Sequence, residues 1–168
     1  MARLKGYDYS TPGMYFVTIC TKNRKEVLSK ITVGTGLPDC PQNILTQHGE
    51  IANCYLTNMM NFYNNIAVDK YVIMPNHIHV ILHVFEYESG NGQSGRPVPT
   101  NGTPDISNSI VSKFVGTFKR LCNKEYGENI WQSRFHDHII RGKEDYEKIW
   151  EYIDTNVLNW ELDCFYNG

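Results

Sequence analysis

Two histidines one residue apart, His77 and His79, sit inside the run IMPNHIHVIL at 73–82. If that run is a strand, its side chains alternate and both imidazoles leave one face about 6.5–7 Å apart. One nitrogen from each ring can then hold a cation between them. Ile78, Val80, Leu82 and Val84 take the opposite face and account for the aliphatic character as core. The same pair reads equally as ordinary polar residues on a solvated sheet face, and a third ligand and a nucleophile are what would separate the two. No cysteine or carboxylate belongs to the motif. That disfavours a zinc–thiolate site and favours a hard or borderline ion with open positions, Mg2+ or Mn2+.

A second group with chemical potential lies in KEDYEKIWEYIDTNVLNW, 143–160, which predicts an amphipathic helix with acidic residues in its first turn. At about 100° per residue, Tyr146, Trp150, Ile153 and Val157 fall within about 40° of one another and form the core-facing stripe. Tyr152 lies about 120° from that stripe and Asn156 about 80° on the same side, so the two share a flank that core packing does not need. A tyrosine hydroxyl with a pKa near ~10 is a weak nucleophile unless assisted. An exposed surface tyrosine is the plain alternative among eleven tyrosines. Gly142, just before this helix, is a candidate hinge. His136 and His138 share a face of RFHDHIIR, and His83 continues the face of His77 and His79; surface positions account for all three as well. Trp131 and Phe135 are either core residues or platforms for stacked bases.

The elements that must position these groups follow from pattern. MYFVTICT (14–21) reads as a strand. Turn residues between short apolar pieces make about 26–47 a hairpin or irregular insertion. Helical spacing of Ile51, Cys54, Tyr55, Met59 and Phe62 predicts a helix over 47–65. KYVIM (70–74) and HIHVILHVF (77–85) are strands around a turn at Pro75 and Asn76. A Gly-, Ser- and Pro-rich loop occupies about 86–106. A helix follows over 107–127, capped by Ser107 or Asn108, then a strand at 134–141 and the tyrosine helix. This order gives an α+β, ferredoxin-like βαββαβ domain: an antiparallel sheet with helices on one face, plus a C-terminal helix carrying Tyr152. With 168 residues and no internal repeat, one domain spanning 1–168 is expected, with insertions at about 26–47 and 86–106.

Composition sets the outer limits. A chain 41% hydrophobic and 20% charged is an ordinary globular one. There is no apolar run of membrane-spanning length and no secretory leader, and five scattered cysteines without a CxxC suggest reduced thiols and a cytoplasmic location. The net charge of −2 is unevenly spread. Residues 1–30 carry six basic and two acidic side chains and residues 107–144 seven and four, with acidic segments after each. Brought onto one face, the basic segments would suit a phosphate backbone.

MPNHIHVIL, followed by WQSRFHDHIIR (131–141) and EYIDTN (151–156), resembles the HUH (His–hydrophobe–His) single-tyrosine transposases. The opening GYDYSTPGMYFVTICT is similar to their REP-associated tyrosine transposase branch, and the resemblance runs from about 6 to 160. It implies that His77 and His79 are a metal-binding pair, that Tyr152 is the nucleophile, and that Asn156 is the third ligand where some relatives have Gln. It further implies Mg2+- or Mn2+-dependent cleavage and rejoining of single-stranded DNA through a 5′-phosphotyrosine at sites flanked by hairpins of palindromic repeats. Relatives act as monomers or as dimers that exchange the tyrosine helix, so a homodimer and a monomer both stay open. No membrane partner is expected. DNA contact is expected from Arg3, Lys5, Lys22, Arg24, Lys113, Lys119, Arg120, Lys124 and Arg134, for which a solvated surface is the alternative. Two rival functions fit the same pattern: a single-stranded nucleic-acid-binding module without chemistry, and a metal-dependent hydrolase using a bound water with Tyr152 incidental.

Overall fold

Alternating β-branched and aromatic residues in GMYFVTIC make Gly13–Cys20 the first strand, β1. The computed structural model describes residues 10–32, 40–86 and 109–166. Ser29–Thr32 (β2) and Gln42–Leu45 (β3) pair as an antiparallel hairpin, so the expected insertion is a small two-stranded sheet of its own. Helix α1, Gln47–Asn58, is capped by Thr46, whose side chain accepts from the Gly49 N–H. It gives way to a 3-10 turn at Met59–Asn61, short of the expected residue 65.

Strands Ile66–Ile73 (β4) and His77–Val84 (β5) run antiparallel to each other, with a register shift between Val68 and Lys70. Helix α2, Ile110–Tyr126, starts from Ser109, whose hydroxyl accepts from the Ser112 N–H. The expected caps Ser107 and Asn108, and most of the 86–106 loop, lie outside the described residues. Strand β6 is His136–Ile140 and helix α3 is Lys143–Thr155. Helix α3 therefore ends before 160, and the chain continues through turns to a 3-10 segment at Trp160–Leu162.

The main sheet has the order β4-β5-β1-β6 with every neighbouring pair antiparallel. Ranked along the chain, its strands stand 2-3-1-4, the ferredoxin-like α+β arrangement that the pattern predicts. Strands β5 and β1 are central, with Thr18 opposite His79 and Cys20 opposite His77.

Each face of this sheet has its own core. On one, Val17, Ile19, Ile78, Val80 and Leu82 meet Phe114 and Phe118 of α2 and Ala52 and Leu56 of α1. Fully burying such side chains contributes about 1.5–3 kcal/mol each, so this larger cluster dominates stability. On the other face Ile81 and Ile140 meet Ile153 of α3, flanked by Phe16, Val72, Tyr146 and Ile149. Trp150 and Val157 are not part of that contact, contrary to the expected stripe. Trp150 is 36% exposed, with the Lys70 ammonium 3.8 Å over its ring, and Lys70 also pairs with Asp154.

Gly49 is where the hairpin docks. A Cβ there would fall on the Leu28 carbonyl, whose oxygen accepts from the Thr46 N–H, so only glycine allows this approach. Among the described residues, no helix is long and apolar enough to cross a membrane.

Candidate active site

His77 and His79 do share the face opposite the large core, but they are not solvated: their relative exposures are 0% and 1%. Three aromatic layers cover them. Phe16 stacks 5.1 Å from His79, Phe165 lies 4.6 Å from His77, and Trp160 lies 6.0 Å from His77. Two of these rings come from the segment after α3. Burial, with Arg24 adding to it, lowers the His77 pKa from 6.5 to about 3. Burial first, and then His77, holds His79 well below 6.5. Both rings are thus neutral near pH 7, the state a metal ligand needs.

Hydrogen bonding orients both rings. Asn76 Nδ2 donates to the Phe165 carbonyl at 2.7 Å, which leaves Asn76 Oδ1 facing His77 Nδ1 at 2.8 Å. An amide oxygen only accepts, so the neutral His77 carries its proton on Nδ1 and presents a bare Nε2. His79 Nδ1 is instead 2.8 Å from the Thr18 hydroxyl, which can donate or accept. Thr18 therefore supports either tautomer of His79. Without an ion, His79 Nε2–H donates to His77 Nε2 across 2.9 Å. With the proton moved to Nδ1, both Nε2 lone pairs converge.

From α3, the Tyr152 hydroxyl reaches this point: it is 3.2 Å from His79 Nε2 and donates to Asp163 Oδ2 at 2.9 Å. Burial first, and then the Asp163 carboxylate, push the Tyr152 pKa well above its ordinary value near 10. Asn156 is 2% exposed, buried where a polar flank was expected. Its Nδ2 donates to Asp163 Oδ2 at 2.9 Å. Its Oδ1 is buried with no hydrogen-bond partner, a state that costs about 1–3 kcal/mol and that a cation would relieve. Asp163 also closes a cluster in which it and the two histidines each offer one ligand atom within 4.8 Å of the others. The residues therefore fit a divalent ion: two neutral imidazoles and an orphaned amide oxygen, with the Asp163 carboxylate close by. The histidine motif itself holds no carboxylate, but the fold brings Asp163 to it. Asp163 carries no helical periodicity because α3 has already ended, and no sequence signal marks it. Thr18 could have been found, since antiparallel pairing of the first strand with the histidine strand sets it beside His79.

The remaining candidates are scattered around this centre. Arg24 donates to the Cys164 carbonyl at 3.1 Å and lies 5.1 Å over the Phe165 ring, at the margin of the histidine pocket. Lys22 and Arg134 line a groove of about 520 Å³ with Asn23, Asn129 and Gln132. Lys119 and Arg120 line an adjoining one of about 280 Å³ that shares Asn129, Trp131, Gln132 and Ser133. Neither groove has an acidic residue in its wall. The Lys119 ammonium donates to the Gln132 and Arg134 carbonyls, so it fixes that loop. Lys113 and Lys124 are exposed on α2, apart from these grooves; Arg3 and Lys5 lie outside the described residues. Trp131 is 2% exposed and packs on Phe118, so its ring is core and offers no stacking face. Phe135 packs against the same core, with the Lys119 ammonium 5.8 Å from its ring. His138 binds Asp145, which also accepts from the Arg141 N–H, and so belongs to the start of α3. His83 packs on Phe85, and exposed His136 lies 6.3 Å from Phe165. Gly142 caps α3 at φ 84°, a conformation suited to glycine.

No family model matches the sequence. Over 172 aligned residues the chain is 32% identical to an uncharacterized protein of Haemophilus influenzae, covering 98% of this chain and 91% of that protein. Its structure is similar to that of a REP-associated tyrosine transposase bound to a REP hairpin, with a TM-score of 0.61 and 19% identity over 95% of this chain and 74% of that one. That likeness establishes a shared fold. A candidate transposase from Deinococcus radiodurans gives a TM-score of 0.39 at 16% identity, covering 92% of this chain and 97% of that one.

Proposed function

This chain belongs to one family with the Haemophilus influenzae protein it matches, and we propose that it is a transposase that cleaves and rejoins single-stranded DNA through Tyr152. The observation that carries this reading is the meeting of a phenol with a histidine pair: Tyr152 OH lies 3.2 Å from His79 Nε2, itself 2.9 Å from His77 Nε2. A structural tyrosine has no need of two neutral, buried imidazoles beside its hydroxyl. A divalent ion, Mg2+ or Mn2+, held by His77, His79 and Asn156 would polarise the scissile phosphate and offset the charge that develops on it.

The chain's own groups supply the rest. The Tyr152 oxygen attacks phosphorus; the new O–P bond forms as the bond to the 3′ oxygen breaks. The 5′-phosphate stays on the tyrosine and the 3′ oxygen leaves, taking a proton from solvent to become a hydroxyl. The proton released by Tyr152 has Asp163 Oδ2 2.9 Å away to receive it. Because the phosphotyrosine conserves the broken bond, a second 3′-hydroxyl reverses the step and joins new ends. Lys22, Arg24, Arg120 and Arg134, on the groove and the margin of the histidine pocket, are suited to the phosphates on either side. Hairpin-bearing DNA is the substrate class to try first, since the fold is shared with a transposase bound to a REP hairpin.

The test is incubation with a single-stranded, hairpin-flanked oligonucleotide and Mn2+ or Mg2+, followed by a denaturing gel. A covalent adduct that disappears in Tyr152→Phe supports the reading. Cleavage without an adduct means a water-using hydrolase, and binding without cleavage means a module without chemistry.

A further inference from the structure

We propose that Asp163 is the positioning residue of this site. Through one oxygen it sets both the Asn156 amide and the Tyr152 hydroxyl, and it acts on a bound divalent ion through Asn156. This rests on the metal-and-tyrosine reading above.

Asp163 Oδ2 accepts from Tyr152 OH and from Asn156 Nδ2, each at 2.9 Å, while Oδ1 accepts from the Phe165 N–H at 2.7 Å. An ionised carboxylate has about four acceptor positions and no donor, so three are engaged. An amide facing such a group must turn its nitrogen toward it. The Asn156 oxygen is thereby turned away from Asp163, where it is buried and unpartnered. Asp163 thus decides which atom Asn156 presents to an ion. The carboxylate is itself anchored: the Phe165 carbonyl accepts from Asn76 Nδ2 at 2.7 Å, and Asn76 Oδ1 holds the His77 Nδ1–H at 2.8 Å. One bonded path therefore runs from the nucleophile and the amide ligand, through Asp163 and Phe165, to the histidine pair.

Asp163→Asn is close to isosteric, yet it cannot satisfy this arrangement. Whichever way its amide turns, an NH2 group meets either the Phe165 N–H or the Asn156 Nδ2. The experiment is a double-mutant cycle on Mn2+ affinity in the full chain, read from the free-Mn2+ signal in electron paramagnetic resonance. Asp163→Asn is expected to weaken Mn2+ binding about 10–100-fold, the usual effect of losing a group that orients a ligand. Asn156→Ala should weaken it comparably, and the double variant should bind no worse than Asn156→Ala. Losses that add mean that Asp163 is an independent ligand and overturn the proposal; unchanged affinity in Asp163→Asn overturns it as well. If Asp163→Asn does not fold, as judged by circular dichroism, Asp163→Ala goes through the same cycle. At saturating Mn2+, Asp163→Asn should lose about tenfold or more in oligonucleotide turnover with KM unchanged, since it loses both the alignment of Tyr152 and the acceptor of its proton. A change in KM alone overturns the tyrosine half. The underlying reading is checked apart from this: Mn2+ affinity unaltered in His77→Ala would remove the metal site itself, whatever Asp163 does.

Discussion

The Nε2 atoms of His77 and His79 stand 2.9 Å apart, close enough for a hydrogen bond and also for two ligands on one small ion. Two nitrogens bound at about 2.1 Å and at right angles would be about 3.0 Å apart. Little rearrangement then separates the ion-free pair from a chelating one, beyond moving one proton across the His79 ring. Mn2+ should therefore raise the melting temperature, with stabilisation of about 2.7 kcal/mol at one hundred times its Kd. Calorimetric scans with Mn2+ and with a chelator measure this, and His77→Ala should abolish the difference.

Acid should weaken the ion-free chain through the same two rings. Folded, His77 stays neutral down to about 3 and His79 stays neutral well below 6.5; unfolded, both protonate near 6.5. The unfolded chain thus binds more protons as pH falls below about 6.5, and each ring removes up to ~1.4 kcal/mol of stability per pH unit there, His77 down to about 3. Above pH 7 neither ring contributes any slope. Urea midpoints at pH 7.5 and 5.5 in chelator test this; an equally steep fall in the double variant His77→Gln, His79→Gln would disprove it.

Asn76→Ala should cost about 1–3 kcal/mol, since it strips a buried acceptor from His77 Nδ1–H and a donor from the Phe165 carbonyl. It also frees the His77 tautomer, so Mn2+ affinity should fall about 10–100-fold. Chemical denaturation and an Mn2+ titration give the two numbers separately.

Gly49→Ala should destabilise by about 1–3 kcal/mol or more, because the added methyl group meets the Leu28 backbone rather than a movable side chain. Gly49 belongs to α1, which packs on the face of the sheet opposite the histidine pair, so the folded fraction should keep its Mn2+ affinity. A lower urea midpoint with unchanged affinity is the expected pair of results.

Replacing Lys22, Arg120 and Arg134 together by Ala should weaken single-stranded DNA binding and flatten its salt dependence. Each lost phosphate contact lowers the log–log slope by about 0.7 on a single strand, about 2 in all. Fluorescence anisotropy across a salt series measures it, and an unaltered slope would show that the strand runs elsewhere.

Much of this was legible from periodicity. Alternation in HIHVILHV separated the core residues Ile78, Val80 and Leu82 from the histidines, and the element order gave the sheet. Tyr152 and Asn156 follow from a helical flank and a family likeness; Tyr152 reaches His79, and Asn156 reaches Asp163. Three things escaped. The wheel misplaced Trp150, because Lys70 and Asp154 hold that ring at the surface by charge rather than by burial. It left Asn156 on a polar flank, because the chain past the helix covers it. Asp163 and Phe165 were invisible, since a short irregular segment folding back on a sheet has no period to read. Local pattern reports which face a residue leaves by, and only the folded chain reports what lies over that face.

The two halves of the site are anchored very differently. The imidazoles belong to β5, which is hydrogen-bonded along both edges in the middle of the sheet. Tyr152, Asn156 and Asp163 belong to α3 and its continuation, attached through the small cluster of Ile81, Ile140 and Ile153 and through Trp160 and Phe165 over His77. Amide protons of β5 should then exchange only through global unfolding, whereas those of α3 exchange through a smaller, cheaper opening. The phenol and the imidazoles meet only while that helix is docked, so undocking α3 would part them and leave the sheet whole.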